Sequence, residues 1–190
     1  STKYFAGHSL GEYSALLCSE SIKFKDALHL LFERGKAMQE AVPVGKGGML
    51  AILGMETEEI NKFISEVKIK GVCEIANDNA PGQIIVSGNI DSIEDLQTIL
   101  KKNKKKSIML PVSAPFHCSL MNIAADKMKD KINSVEFNKP TFEIVSNVTS
   151  TSTNEPLKIK QLLIEQIYSQ VRWRETILYM SENKINDFIE

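Results

Sequence analysis

Tyr4-Phe5-Ala6-Gly7-His8-Ser9-Leu10-Gly11-Glu12-Tyr13-Ser14-Ala15-Leu16-Leu17 is the stretch whose reading decides the fold. Tyr4-Phe5-Ala6 is a short apolar run that reads as a strand, and residues 12–17 are good helix formers. Gly7-His8-Ser9-Leu10-Gly11 joins them, and a G-x-S-x-G between a strand and a helix is the context a nucleophile elbow requires. A tight turn there projects the serine hydroxyl from the helix N-terminus. Free backbone N–H groups and the positive helix end can then stabilise negative charge developing on a bound carbonyl oxygen. The competing reading is an ordinary strand-to-helix turn.

Outward from this motif, a second helix is expected over 25–41, stopping before Pro43, and Val44-Gly45-Lys46-Gly47-Gly48 reads as a linker. From 49 to 112 the signals alternate quickly: a strand at 49–53, a helix capped by Thr57 and running to 67, and strands at 72–76 and 84–86 around the turn Asn79-Ala80-Pro81-Gly82. A helix from Asp91 or Ser92 to 100 and a strand at 108–112 complete a βαββαβ order, the ferredoxin-like arrangement. The larger unit resumes at Pro115-Phe116-His117, with a helix over 120–132, a strand over 142–148 and a polar loop at 149–154. Helices over 157–168 and 174–181 and a closing strand at 185–189 follow. The fold class is therefore α/β: residues 1–45 and 113–190 form a discontinuous core, and residues 46–112 a small inserted subdomain. Because the sequence opens without Met in a strand and closes on a strand-like run, a piece of a longer chain is expected.

The 190 residues suit one ordinary domain, or a large one holding a small one. A net charge of -1 provides no global field toward nucleic acid or an anionic membrane, and 43% apolar residues suffice for a packed core. No apolar run approaches the length of a membrane span, and no signal-peptide layout opens the chain. Cys18, Cys73 and Cys118 are too few and too widely spaced for a disulfide framework or a Cys-rich metal site, so a reducing compartment is expected. The run Lys101-Lys102-Asn103-Lys104-Lys105-Lys106 lacks interleaved aromatics and follows a helix end, where cations suit the dipole, which argues against a nucleic-acid module.

A neutral serine needs a base, and three histidines compete. His8 would point away from its neighbour's hydroxyl, His29 lies in the second helix as a packed or half-exposed residue, and His117 sits in a Pro-braced loop at a strand end, where a positioned base belongs. A purely structural role for His117 remains open at this point. Arg34 is one of only three arginines against 20 lysines. At 100° per residue, Ala27, Leu30, Leu31, Met38 and Ala41 fall within about 60° of it, so it lies on an apolar helix face. A guanidinium there must find an anion: a bound carboxylate, taken in bidentate fashion, or an Asp or Glu of the chain itself. Asp78, Asp91 and Asp95 lie between serine and His117 in chain order but belong to the insert, and none is convincing as a triad acid. A backbone carbonyl at a helix C-terminus can orient the histidine instead.

Gly7-His8-Ser9-Leu10-Gly11-Glu12-Tyr13, Glu33-Arg34-Gly35-Lys36-Ala37-Met38-Gln39, Asn79-Ala80-Pro81-Gly82-Gln83, Pro115-Phe116-His117 and Gln166-Ile167-Tyr168, in that order, resemble malonyl-CoA:acyl carrier protein transacylases over essentially the whole chain. The resemblance implies an α/β-hydrolase-like core with an inserted ferredoxin-like subdomain. It implies Ser9 as nucleophile, His117 as general base and acid, the backbone carbonyl of Gln166 as holder of the His117 tautomer, and Arg34 as the grip on a malonyl carboxylate. The Leu10 N–H would serve as an oxyanion donor. Phe116 before His117 is similar to the HAFH pattern of malonyl-selective acyltransferases, here Ala114-Pro115-Phe116-His117, and so implies a substrate contact. Implied with these are malonyl-CoA and acyl carrier protein as partners, no metal or redox cofactor, and a cytoplasmic monomer without nucleic-acid or membrane partners. The lysine run would attract an acidic carrier protein.

Two features of that family are not among these residues: a Gly-Gln-Gly-Ser-Gln-type loop whose glutamine completes the oxyanion hole, and a Gly-Pro-Gly segment after the last strand. The resemblance thus implies a stretch of a longer enzyme, with activity of the stretch alone in question. Rival readings are a serine esterase or patatin-like hydrolase and a catalytically silent docking domain. The patatin-like rival would need a catalytic Asp-Gly pair, and the chain contains no Asp-Gly dipeptide.

Overall fold

β1 (Tyr4–Ala6) runs parallel to β6 (Glu143–Val145), with Phe5 opposite Ile144, and β6 pairs antiparallel with β7 (Ser152–Thr153). These positions come from a computed structural model, which describes residues 2–112 and 114–189. Around this small sheet lie α1 (Gly11–Cys18), α2 (Phe24–Glu40), α5 (Asn122–Ser134), α6 (Pro156–Gln166) and α7 (Trp173–Glu182). α2 buries Ala27, Leu30, Arg34, Ala37 and Met38, one face at helical spacing, against α5, which in turn meets α6. Tyr13, Leu16, Leu30, Met128 and Leu163 belong to the apolar cluster these helices share.

The second sheet is antiparallel throughout, ordered β3 (Cys73–Ala80), β4 (Gln83–Asn89), β2 (Gly47–Leu53) and β5 (Lys106–Met109). Along β2 the side chains alternate, as a pleated strand demands. Leu50 and Ile52 join Ile60, Ile93 and Leu96 under α3 (Thr57–Ser65) and α4 (Ile90–Lys102), whereas Met49 joins Ala76 and Ile85 on the opposite face. Phe116 packs against this opposite-face cluster and against the helical core, joining the two. Lys101 and Lys102 occupy the last turn of α4, and Lys105 pairs with Glu59 at 2.6 Å, so the lysine run closes a helix.

Backbone bonds fasten the second sheet to the larger part. The Asp78 N–H donates to the Val171 carbonyl at 3.0 Å, and the Val171 N–H to Ala76 at 2.8 Å. Both oxygens of Glu74 accept from Ser119, one from its N–H at 2.8 Å and one from its hydroxyl at 2.7 Å. β3 extends through Asn79 and Ala80, so the hairpin turn narrows to Pro81-Gly82, with Gly82 at φ +69° where glycine is unstrained.

Other expectations are corrected. No strand forms over 185–189: no described strand lies alongside to take its ladder bonds, and Phe188 and Ile189 are exposed. The strand over 142–148 shortens to three residues, and the polar loop after it contains β7, because Ser152 and Thr153 turn back to pair with Val145 and Ile144. A 3-10 turn at Ser119–Met121 precedes α5. Among the described residues, no helix is long and apolar enough to cross a membrane, and no three His, Cys, Asp or Glu side chains cluster as metal ligands.

Asp78, its side chain 3% exposed, is held by Arg174 at 2.7 Å, and Arg174 also reaches Glu56 at 2.6 Å. Burial raises the Asp78 carboxyl and Arg174 pulls it back down. A carboxyl raised in the folded state contributes its stability at low pH and loses it as pH rises. Arg174→Ala removes the opposing pull, so it should cost about 1–3 kcal/mol at neutral pH, with the gap to the parent protein closing as pH falls toward about 4 and Asp78 is protonated. Thermal melts at pH 4 and pH 8 check this; equal losses at both would sink the tether.

Candidate active site

Ser9 takes φ +53°, in the left-handed region that a non-glycine residue rarely occupies. The chain closes on itself here: the Gly11 N–H donates to the His8 carbonyl at 2.9 Å and the Glu12 N–H to that of Ser9 at 3.1 Å. A Cβ on Gly7 would sit inside the Gly11 carbonyl, so only glycine fits. At Gly11 a Cβ would meet nothing within 4 Å, so the steric need for small flanking residues is one-sided. Asn147, two residues past β6, clamps the turn from outside. Its Oδ1 accepts the Ser9 N–H at 2.7 Å, and its Nδ2 donates to the Gly7 carbonyl at 2.8 Å. The Leu10 N–H finds no acceptor among the described residues and lies at the start of α1, available to an oxyanion.

His117 also has positive φ, +57°, and is 4% exposed. Its Nε2 lies 2.7 Å from Ser9 Oγ and its Nδ1 2.9 Å from the Gln166 carbonyl oxygen. A carbonyl only accepts, so Nδ1 carries the proton and Nε2 is free to take the serine's. Burial, then the positive field of Arg34, push the imidazole down to about 3, with the Gln166 carbonyl opposing. The ring is a neutral base at any physiological pH.

Arg34, 6% exposed, closes the group. One nitrogen, Nη2, donates to Ser9 Oγ and to Gln166 Oε1, each at 3.0 Å. The guanidinium carbon lies 5.9 Å from the centroid of the Tyr13 ring. No ion pair among the described residues includes Arg34, so the internal salt bridge open at the sequence level does not form. Its Nε, also buried, has no partner among the described residues. Desolvation lowers the guanidinium from its usual range, with Tyr13 and Glu12 opposing.

Four of the residues singled out from sequence thus converge: Ser9, Arg34, His117 and, by its backbone carbonyl, Gln166. The Leu10 N–H adjoins them. Phe116 is half-buried in packing between the two cores. His8 turns away as expected, donating from Nε2 to Asn79 Oδ1 at 2.8 Å, with Trp173 edge-on at 5.5 Å. His29 is exposed rather than packed, because it lies on the outer face of α2. Asp78 is taken by Arg174, and Asp95 accepts the Lys68 N–H at 2.9 Å.

Sequence reasoning missed Asn147, Glu12 and the side chain of Gln166. Glu12 is 1% exposed, and its Oε2 accepts from Gln166 Nε2 at 2.7 Å and from the Asn147 N–H at 3.2 Å. Burial pushes its carboxyl up to about 7 against the pull of those donors and of Arg34. Ser9-Leu10-Gly11-Glu12 has the spacing of a capping box, which masks the role of the glutamate. No side-chain cap forms, since Ser9 Oγ is engaged with His117. For Asn147 the sequence offers only one asparagine among several in a polar stretch.

Fold and site together find a counterpart among known proteins. The chain belongs to the acyl transferase domain family, whose model matches residues 2–190. It is 41% identical over 189 residues to the malonyl CoA-acyl carrier protein transacylase of Bacillus subtilis, covering 98% of this chain and 60% of that protein. The acyl-carrier-protein-S-malonyltransferase structure from Bartonella henselae superposes with a TM-score of 0.95 at 40% identity, over 98% of this chain and 60% of its own. A malonyl-transacylase solved in complex with a type II PKS acyl-carrier protein superposes at 0.93 with 39% identity, over 97% and 60%. The chain thus spans about 60% of the length of these relatives.

Two expected outcomes follow from the geometry. Asn147→Ala orphans the Ser9 N–H and the Gly7 carbonyl, so it should cost about 2–4 kcal/mol in a thermal melt. It should also slow labelling of Ser9 by phenylmethylsulfonyl fluoride roughly 10- to 100-fold; an unchanged melt with unchanged labelling removes the clamp. The pH profile of that labelling assigns the titrating groups. His117 lies near 3 and Glu12 near 7, so an inflection near neutrality belongs to Glu12. Its protonation removes an anion that offsets Arg34 and weakens the imidazole as a base, so labelling should fall as pH drops through 7 in the parent and stay flat in Glu12→Gln. An inflection persisting in Glu12→Gln would return His117 to the ordinary histidine range.

Proposed function

We propose that the chain carries the acyl-transfer site of an enzyme that moves a malonyl group from malonyl-CoA to the phosphopantetheine thiol of acyl carrier protein, supplying fatty acid synthesis. The observation that carries this reading is Arg34: a buried guanidinium 3.0 Å from the nucleophile's oxygen that, among the described residues, has no carboxylate partner and no acceptor for its Nε–H. An acyl group ending in a carboxylate answers that charge, while a neutral acyl chain leaves it unmatched. The names of the relatives support the same substrate, and the relative solved with an acyl-carrier protein supports that partner.

In the first half-reaction the Ser9 hydroxyl gives its proton to His117 Nε2 as Oγ bonds to the thioester carbonyl carbon. The Leu10 N–H donates to the oxygen that becomes negative. The carbon–sulfur bond then breaks, and the CoA sulfur leaves with the proton from Nε2. In the second, the carrier thiol gives its proton to Nε2 and its sulfur attacks the ester carbon, and Ser9 Oγ departs and recovers the proton. Atoms and charge balance without a metal or redox group.

The same reading takes residues 1–45 and 113–190 as an α/β-hydrolase-like core and 46–112 as an inserted ferredoxin-like subdomain. Separate sheets, separate apolar clusters and the strand order β3-β4-β2-β5 support it. Phe116, adjoining His117, borders the acyl pocket in this scheme. A cytoplasmic location suits three unpaired cysteines.

Mass spectrometry after incubation with malonyl-CoA should find a malonyl adduct on Ser9 and none in Ser9→Ala. Arg34→Ala should lower malonyl transfer roughly 100-fold and leave acetyl transfer within a few-fold. Equal losses for both acyl groups, or faster turnover of a neutral p-nitrophenyl ester than of malonyl-CoA, would overturn the transferase reading.

A further inference from the structure

We infer that the side-chain amide of Gln166, locked in one orientation by Glu12 and the Ser9 carbonyl, positions Arg34 and thereby sets the preference for acyl groups that carry a carboxylate. This rests on the malonyl reading of Arg34 and adds to it a residue pair that holds the guanidinium in place. The backbone carbonyl of Gln166 serves His117, and its side chain performs a separate task.

Gln166 is fully buried at the end of α6. Its Nε2 faces two groups that can only accept while Glu12 is ionised, the Ser9 carbonyl at 2.9 Å and Glu12 Oε2 at 2.7 Å. Its Oε1 must therefore face the other way, where Arg34 Nη2 donates to it at 3.0 Å. A flipped amide would set NH2 against the guanidinium and a carbonyl against a carboxylate and a second carbonyl, with every contact unfavourable. The orientation is thus determined, and with it the acceptor that holds Nη2 beside Ser9 Oγ.

Glu12 does this without touching a cation: Gln166 and the Asn147 N–H satisfy it, and no ion pair among the described residues contains it. The amide stands between a buried anion and a buried cation and passes hydrogen bonds to both. A purely structural glutamate would be expected to serve its own helix, yet Glu12 reaches away from α1 toward β6 and α6.

The test compares Gln166→Met with the parent protein, because methionine keeps the volume and the backbone carbonyl and removes only the amide. Acylation rate constants are measured with malonyl-CoA, acetyl-CoA and phenylmethylsulfonyl fluoride. Malonyl acylation should fall roughly 10- to 100-fold more than acylation by either of the other two reagents. In an Arg34→Ala background the substitution should have no further effect on malonyl-CoA. Equal losses with all three reagents, or a malonyl-specific loss that persists without Arg34, would overturn the positioning role. If Gln166→Met does not fold, Glu12 decides: Glu12→Gln, which still offers the amide an acceptor, should keep the malonyl-to-acetyl ratio, and Glu12→Met should lose it. A ratio that falls in both, or in neither, counts against the inference. A parent protein labelled by the sulfonyl fluoride but never by malonyl-CoA instead defeats the malonyl reading. The positioning then stands or falls on a crystal structure of Gln166→Met, or of Glu12→Met if that variant alone folds. Arg34 Nη2 should have left Ser9 Oγ, and retention of the 3.0 Å contact would refute it.

Discussion

A single hydrogen bond, 2.7 Å from Ser9 Oγ to His117 Nε2, joins positions 108 apart in the chain, and the architecture is arranged to keep it. Both residues sit at positive φ, a conformation that persists only when the surroundings over-determine it. For Ser9 those surroundings are the close approach of Gly7 to Gly11 and the two-handed grip of Asn147. For His117 they are Phe116, packed between two cores, and Glu74 of β3, which takes both donors of Ser119. The four-stranded sheet therefore does more than pack beside the helices, because its strand β3 reaches over to anchor the loop that carries His117.

The electrostatics of the pair follow from what is buried beside it. Arg34 repels a proton on His117, and desolvation does so more strongly, so the imidazole is kept neutral while the Gln166 carbonyl fixes which nitrogen is bare. Where a hydrolase triad places a carboxylate behind the histidine, this site places a carbonyl dipole. The nearby carboxylate, Glu12, lies one helical turn beyond the serine and meets the Gln166 amide instead.

Much of this was legible in the sequence. The strand-turn-helix around Ser9, the βαββαβ order from β2 to β5 and the apolar face bearing Arg34 are local or periodic properties, and local properties leave marks in sequence. The Pro-braced loop singles out His117 among three histidines, but nothing local separates a positioned base from a satisfied imidazole, and the Gln166 carbonyl comes only through the resemblance. Asn147 and Glu12 escaped because their roles exist only after folding: one is an asparagine in a polar stretch, the other a helix-forming glutamate at a capping-box spacing. The strand expected at 185–189 failed for the complementary reason. Its apolar residues suit a strand, but a strand is defined by its neighbour, and among the described residues that neighbour is not there.

The position of Arg34 carries a consequence for the chemistry under the proposed reaction. At rest its Nη2 donates to Ser9 Oγ, which lowers the energy of negative charge on that oxygen and also draws on the lone pair needed for attack. A carboxylate arriving on the guanidinium competes for the same cation. It weakens the hold on Oγ as the carbonyl carbon comes within reach, so binding of the acid tail and release of the nucleophile are coupled through one side chain. A neutral acyl group supplies no such competitor and meets a serine still bonded to the guanidinium. On this argument selectivity arises from two effects of opposite origin, an attraction for the charged substrate and a restraint on the nucleophile that the charged substrate relieves.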